Sequence, residues 1–316
     1  MMSDRIENLH RRCDLLRQLR EFFYERGFVE VETPLLSQEI IPELHIEPLR
    51  VGSGDSAHTA RWLQASPELH MKRLLVEGMT AIFQVTKSFR ADEVGQLHNS
   101  EFTIVEWYRV DDDMFAGMQL VDQLCRTLFK TSPAKRTTYA EAFQRHVGFC
   151  PHTSSCAELQ ACAERLEIAA EGIKSDERDE WLNLLLATRI EPQLGMGEPE
   201  LLYDYPASQA SLAKTVVRAN GFEVAERFEL YWQGVELANG YHELTDAIVL
   251  RRRFQEVNEA RAADGRPALP LPESLLAAME RGLPASTGCA LGFDRLAMLA
   301  LGAQTIGEVM AFKDET

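Results

Sequence analysis

Phe89-Arg90-Ala91-Asp92-Glu93, a short turn, and then His98-Asn99-Ser100-Glu101-Phe102-Thr103-Ile104-Val105-Glu106 form the stretch on which the fold turns. Residues 102–108 are dense in β-branched and aromatic side chains, a strand composition, and residues 82–89 also read as extended. The result is a strand–loop–strand that carries an arginine, several carboxylates and an aromatic ring. An arginine fork suits a phosphate because it donates two parallel hydrogen bonds, and the flat ring of Phe102 suits stacking on a purine. A plain hairpin with its charges in water and its Phe in the core satisfies the same pattern, so the segment alone does not choose.

Working outward, apolar residues at helical spacing (Ile6, Leu9, Leu15, Leu16, Leu19, Phe22, Phe23) predict an amphipathic helix over residues 4–26. Gly27 is its natural stop, and residues 28–33 alternate as a half-buried strand that Pro34 ends. Residues 51–60 read as a loop, 69–77 and 114–130 as helices, and 137–200 as a helical insertion with polar breaks. Residues 228–232 and 235–237 flank Gln233-Gly234 as a hairpin. A charged helix over 246–263 stops at Asp264-Gly265, a strand and helix fill 287–301, and a short helix over 303–311 closes the chain. Strand and helix do not alternate regularly, which argues against a doubly wound parallel sheet and for a largely antiparallel sheet flanked by helices, an α+β fold. No phosphate-binding Gly-x-x-x-x-Gly-Lys-Ser/Thr loop and no Gly-x-Gly-x-x-Gly turn is present, so any ATP chemistry needs another scaffold.

Composition bounds the function further. The chain has 316 residues, 45% hydrophobic and 26% charged, which is the make-up of a globular protein. It has no apolar run long enough for a membrane span and no secretory stretch at its N-terminus, so the cytoplasm is expected. A net charge of −16 gives no global pull toward nucleic acid and favours a cationic partner. The six cysteines are scattered; Cys150, Cys156 and Cys162, near His146 and His152, fit no common zinc spacing and read as reduced thiols in a helical segment.

Two further stretches carry chemistry. In Gly288-Cys289-Ala290-Leu291-Gly292-Phe293-Asp294-Arg295, small residues let a strand lie close to a ligand. Arg295 opens the next helix against the preference of the helix dipole, which suggests an external partner such as a phosphate or adenine face. In Val235-Glu236-Leu237-Ala238-Asn239-Gly240-Tyr241-His242-Glu243, Glu236 and Glu243 stand seven apart, which places them on opposite faces of a regular strand. Asn239-Gly240 between them signals a bulge that resets the phase, so both carboxylates are expected on one side, for Mg²⁺, a substrate ammonium, or one of each. Exposed glutamates beside a turn are the plainer reading.

Together these stretches resemble the signature motifs of class II aminoacyl-tRNA synthetases, in order and over nearly the whole chain. Residues 27–34 resemble motif 1, which builds that family's dimer interface. Residues 90–106, with His98, Phe102 and Glu106 four apart, resemble motif 2, and residues 288–295 resemble motif 3. Ser66-Pro67-Glu68-Leu69-His70-Met71-Lys72-Arg73-Leu74, His98-Asn99-Ser100-Glu101-Phe102-Thr103 and Glu236-Leu237-Ala238-Asn239-Gly240 with Glu243-Leu244 resemble lysyl-tRNA synthetases. Those enzymes carry an N-terminal anticodon-binding domain, for which there is no room before the motif 1 helix. Asp204-Tyr205-Pro206-Ala207-Ser208-Gln209-Ala210-Ser211-Leu212 and Glu106-Trp107-Tyr108-Arg109 are similar to the truncated lysyl-tRNA synthetase paralogues that modify elongation factor P. So is Ala290, where lysyl-tRNA synthetases usually have glycine. Its methyl narrows the pocket floor, in favour of a β-amino acid by about 1–3 kcal/mol.

The resemblance implies a single class II catalytic domain over residues 1–316 that joins (R)-β-lysine or lysine to AMP, using ATP and Mg²⁺. The acyl group then passes to a lysine ε-amine of elongation factor P, and the enzyme is a homodimer. It implies Arg90, Arg295 and Glu236 as catalytic residues. ATP would lie against Arg90, Ala91, Asp92, Glu93, Phe102, Glu236, Leu237, Gly292 and Arg295. The amino acid would meet Ser66, Pro67, Glu68, Asn99, Tyr108, Glu243 and Ala290, and Glu236 and Glu243 would hold the metal. One departure falls in motif 2: the family's Arg-x-Glu is Arg90-Ala91-Asp92 here, with Glu93 next, which leaves open which carboxylate meets the adenine amine. Charging of tRNA or another small acceptor, and a silent regulatory paralogue, are the competing readings. The absent anticodon domain opposes the first and the retained Arg90, Glu236, Glu243 and Arg295 the second.

Overall fold

A computed structural model describes residues 2–52 and 60–314. Most of the loop expected at 51–60 lies outside the described residues. The chain starts with α1 (Met2–Tyr24), β1 (Val29–Glu30), β2 (Leu36–Ser37), β3 (Arg50–Val51), β4 (Arg61–Leu63), α2 (Glu68–Val76), β5 (Ala81–Phe89) and β6 (Glu101–Val110). There follow α3 (Met114–Phe129), β7 (Lys135–Thr138), α4 (Tyr139–His146), α5 (Cys156–Arg165), α6 (Arg178–Leu185), β8 (Glu200–Pro206), β9 (Thr215–Val217), β10 (Glu223–Trp232) and β11 (Val235–His242). The last elements are α7 (Ala247–Ala263), α8 (Glu273–Glu280), β12 (Ser286–Gly292) and α9 (Phe293–Leu301). The chain divides into two compact units, Met1–Asp113 with Glu243–Thr316, and Met114–His242.

In the first unit β5, β6 and β12 run antiparallel to their neighbours, and β1 joins the β5 edge in parallel. One face of this sheet is apolar. Leu15, Leu19, Phe22 and Phe23 form the buried stripe of α1, and Phe23 stacks on Phe83 (centroids 4.7 Å apart) and tilts against Trp107 (5.2 Å). The helix ends at Gly27, whose φ of +77° is open to glycine at little cost. The next N–H, from Phe28, reaches back to the Phe23 carbonyl (3.1 Å), a Schellman closure. Side chains alternate along a strand, so Glu106 and Tyr108 point to the face opposite Trp107. That second face holds the site.

In the second unit β8 and β11 flank β10, both antiparallel to it, β7 lies parallel to β8, and β9 pairs with β10. The β10–β11 hairpin turns where predicted. Gln233 and Gly234 have φ of +52° and +73°, the two positive angles of a type I′ turn. The 137–200 segment contributes α4, α5 and α6, and Tyr139, Phe143, Leu159, Trp181 and Leu182 pack with Leu202 and Tyr205 of β8 into one core. Capping boxes start α4 (Thr138 with Glu141) and α5 (Ser155 with Glu158).

The sheets are mainly antiparallel and flanked by helices, the α+β arrangement expected from the sequence. Two elements are shorter than their sequence patterns predict. The 28–33 strand pairs only at Val29 and Glu30, although Val31 still donates to the Phe83 carbonyl (2.9 Å). The closing helix over 303–311 is a single 3₁₀ turn, Ile306–Glu308, because α9 stops at Gly302 (φ +71°) and the remaining run is too short to propagate an α-helix.

Candidate functional site

The antiparallel registers of the first unit set Gln84, Glu106 and Ala290 in one row across β5, β6 and β12, with Ile82, Tyr108 and Gly288 in the next row of the same face. Helix α2 packs against β6 and presents Glu68 and Lys72 one turn apart. Lys72 is 1% exposed, and its ammonium contacts Glu68 and lies 2.6 Å from Glu243 Oε2. The N–H of Glu243 donates to the Ser286 carbonyl (2.9 Å), which ties this carboxylate to the start of β12.

Glu106 is buried, accepts from the Tyr108 hydroxyl (3.3 Å) at Oε2, and has no donor among the described residues at Oε1. Burial first, and the charge of Glu68 second, push its carboxyl up to about 8. Burial alone would lower the Lys72 ammonium, but Glu243 and then Glu68 outweigh it and hold it above its ordinary value. Tyr108 is likewise held well above its ordinary value by burial and then by Glu106, and so remains a donor. Glu68 and Glu243 both contact the Lys72 ammonium, and the raised carboxyl of Glu106 lies within reach of its charge. A buried pocket lined by three acidic side chains is suited to a cationic ligand.

Gly288 makes the arrangement possible. A Cβ there would stand 2.2 Å from the Tyr108 ring and 2.4 Å from Glu243 Oε1. Ala290 sits beside it on β12, opposite Glu106. Ser66 accepts the N–H of Glu68 (3.1 Å), and Pro67 caps the start of α2. Asn99 is buried and engaged with backbone, donating to the Glu101 carbonyl (2.8 Å) and accepting from the Asp314 N–H (3.0 Å).

Farther along the same strands lie the arginines. Arg90 follows the last residue of β5, with its guanidinium 5.0 Å over the Phe102 ring and 3.6 Å from Glu93, while its buried Nε has no acceptor among the described residues. Ala91 is fixed by its N–H to the Glu47 carbonyl (2.8 Å), and Asp92 turns the chain at φ +60°. Arg295 follows Gly292 in the first turn of α9, donates to the Leu97 carbonyl (3.3 Å) and contacts His98 Nε2. Burial and then Arg295 lower the His98 pKa, so the neutral ring can accept from the guanidinium. Asp294 joins the elements: it holds Arg12 of α1 (2.6 Å) and accepts the Thr103 N–H of β6 (2.7 Å).

The chain that builds this geometry matches, over residues 2–316, the family model for class II tRNA synthetases of the D, K and N group. The chain belongs to the class II tRNA synthetases. It is similar to the elongation factor P–(R)-β-lysine ligase of Klebsiella pneumoniae subsp. pneumoniae, 45% identical over 97% of this chain and 95% of that protein. The protein of the same name from Salmonella dublin is 44% identical over 98% of this chain and 96% of its own length.

In this synthetase, Glu236 and Leu237 belong to β11 of the second unit, where Glu236 is half-buried and Leu237 buried. The phase reset expected at Asn239-Gly240 occurs earlier. Tyr231 pairs with Glu236 and Leu230 with Ala238, so Leu237 is the extra residue of the bulge. Glu236 therefore shares a face with Asn239 and Tyr241. Gly240 serves close approach instead: a Cβ on it would stand 2.2 Å from the Phe228 ring. Sequence reasoning assigned no role to Lys72, Glu106 or Gly288. The usable signal was the spacing of Glu68 and Lys72, which forces both onto one helix face, and the Glu-Trp-Tyr run, which places Glu106 on the face opposite a large apolar ring.

Proposed function

We propose that this synthetase activates (R)-β-lysine, or lysine, with ATP and transfers the acyl group to a lysine ε-amine of elongation factor P. The observation that carries the reading is the buried carboxylate surplus at Glu68, Glu106 and Glu243, a pocket for a diamino acid, next to the Arg90–Phe102 pair. The names of the relatives, which cover nearly the full chain, support the acceptor and the isomer.

A carboxylate oxygen of the amino acid attacks the α-phosphorus of ATP and pyrophosphate leaves. The acceptor amine then attacks the acyl carbon, AMP leaves, and the amine's proton passes to solvent. Neither step needs a protein nucleophile, so positioning and charge neutralisation do the work. Arg90 would hold the α-phosphate, Arg295 the γ-phosphate and adenine, and Phe102 the adenine face, with Ala91, Asp92, Glu93, Leu237 and Gly292 lining the nucleotide. Arg90 would leave the Phe102 ring to the base, and Arg295 would exchange the Leu97 carbonyl for a phosphate.

Ser66, Pro67, Glu68, Asn99, Tyr108, Glu243 and Ala290 would surround the amino acid. No group of three or more His, Cys, Asp or Glu among the described residues could hold a metal alone. A Mg²⁺ bound mainly by phosphates suits that donor set. Glu236 is the carboxylate for it, and Glu243, 2.6 Å from Lys72, is better suited to an ammonium than to the expected metal. The chemistry such an ion would supply there is neutralisation of phosphate charge. Exposed Tyr24, Val29 and Leu36 support a homodimer through the motif 1 segment. No helix among the described residues is long and apolar enough to cross a membrane; the proposed translation-factor substrate supports the cytoplasm as the site of action.

The test is release of labelled AMP with α- or (R)-β-lysine, with elongation factor P or tRNA as acceptor. Amino-acid label should appear on the protein. Label on tRNA and none on protein would overturn the choice of acceptor.

A further inference from the structure

We propose that Lys72 is a positioning residue for the amino-acid pocket: its buried ammonium clamps Glu68 and Glu243 and holds both side chains in place for the diammonium substrate. Such a role goes beyond the proposed activity and rests on that reading of the pocket.

The geometry leaves Lys72 little else to do. It is 1% exposed, so its charge cannot serve solubility, and both of its ion-pair partners are buried. Glu68 lies one turn before it on α2, while Glu243 follows β11 and is anchored to Ser286. The ammonium therefore links two elements that are far apart in sequence at a point where both carboxylates meet the pocket. Glu106 and Tyr108 of β6 are the other titratable groups facing this cluster. Helix α8 also packs on α2, but its Glu273 is held by Arg251 and its Glu280 is exposed. Within α2 itself, His70 and Arg73 contact each other.

Without the ammonium, Glu68 and Glu243 would lose the side chain that ties them together. Both could then turn away from their present positions and misplace the incoming ammonium, and a misplacement of about 1 Å is enough to weaken a site markedly. The loss should fall on the amino acid and spare ATP. A residue that only supports the fold would weaken both substrates alike.

The experiment compares wild type with Lys72→Met and Lys72→Gln in ATP–pyrophosphate exchange with (R)-β-lysine, with KM measured for the amino acid and for ATP. Both variants should raise the amino-acid KM at least about tenfold and leave the ATP KM within about twofold. A second measurement needs no variant. In wild type labelled with ¹⁵N-lysine, one slowly exchanging ammonium signal should shift when (R)-β-lysine binds and stay in place when ATP binds. An amino-acid KM that is unchanged, or raised together with that of ATP, would overturn the positioning role, as would an NMR signal indifferent to (R)-β-lysine. A wild type inactive with every lysine isomer would instead sink the proposed activity.

Discussion

Each unit buries a carboxylate cluster, and the two clusters are resolved in opposite ways. In the second unit Glu229 accepts from the hydroxyls of Tyr205 and Tyr231 (2.5 Å each) and pairs with the partly buried Arg227. One anion meets one cation and two neutral donors, and burial with Glu229 holds both tyrosines well above their ordinary pKa. In the first unit Glu68, Glu106 and Glu243 share Lys72, and Glu106 Oε1 has no donor among the described residues. A balanced network costs little to keep and has nothing to gain from a ligand, whereas an unbalanced one gains when a cation arrives. The comparison separates scaffold from site without any bound molecule.

The largest expected effect tests the scaffold side. Glu229→Gln would take the counter-charge from the partly buried Arg227 and weaken the acceptor of two buried tyrosines, and should cost about 3 kcal/mol of stability by denaturant unfolding. The amino-acid KM of protein that still folds should not change; a shifted KM would mean that this network also serves the site.

Next comes Gly288→Ala. Its Cβ would collide with Tyr108 and Glu243, and displacement of groups that align the substrate should lower kcat/KM for the amino acid about 100-fold with little change in the ATP KM. Retained activity would show that the row of Tyr108 and Glu243 is not the ammonium pocket.

Glu106→Gln should raise the amino-acid KM about 10–100-fold, the worth of a hydrogen bond to a charged group. Wild type should bind its cationic substrate better as pH rises from 6.5 to 8.5, because Glu106 is neutral below about 8 and ionised above it. The glutamine variant should lose that trend. Stability runs the other way. A carboxyl with a folded pKa above its unfolded value of about 4.5 binds more protons when folded, so wild-type stability should fall as pH rises from 4.5 to 8. Glu106→Gln should accordingly melt above wild type at pH 8, and the gap should close toward pH 5.

The smallest effect is expected at Ala290, where Ala290→Gly removes one methyl from the strand facing Glu106. Preference for (R)-β-lysine over α-lysine should fall by about tenfold or less, the value of one carbon in a pocket. An unchanged ratio would remove Ala290 from isomer selection.

Much of the molecule was legible before any coordinates, and the limits fall at particular residues. Helices with a clear apolar stripe, α1, α2 and α3, lie within two residues of their predicted bounds, and Gln233-Gly234 marks its turn because type I′ geometry needs two positive φ angles. The bulge on β11 was misplaced. Gly240 looks like a turn residue in sequence, but it is needed where the Phe228 ring crosses the backbone. Glu68 and Glu243 stood out through resemblance. Lys72 and Glu106 did not, because a lysine in a helix and a glutamate in a strand are ordinary until burial is known.

The sequence by itself determined the local order: periodicity placed most helices, β-branched and aromatic composition marked β6 as a strand, and three motifs in series marked the family, each being a property of neighbouring residues. Only the tertiary structure decided which charges are buried together. No residue near Lys72 in sequence points to Glu243, yet Lys72 meets it at 2.6 Å and Gly288 clears the space beside it. Desolvation depends on everything packed around a group, so the surplus charge that makes this pocket a site is a property of the fold and of no single segment.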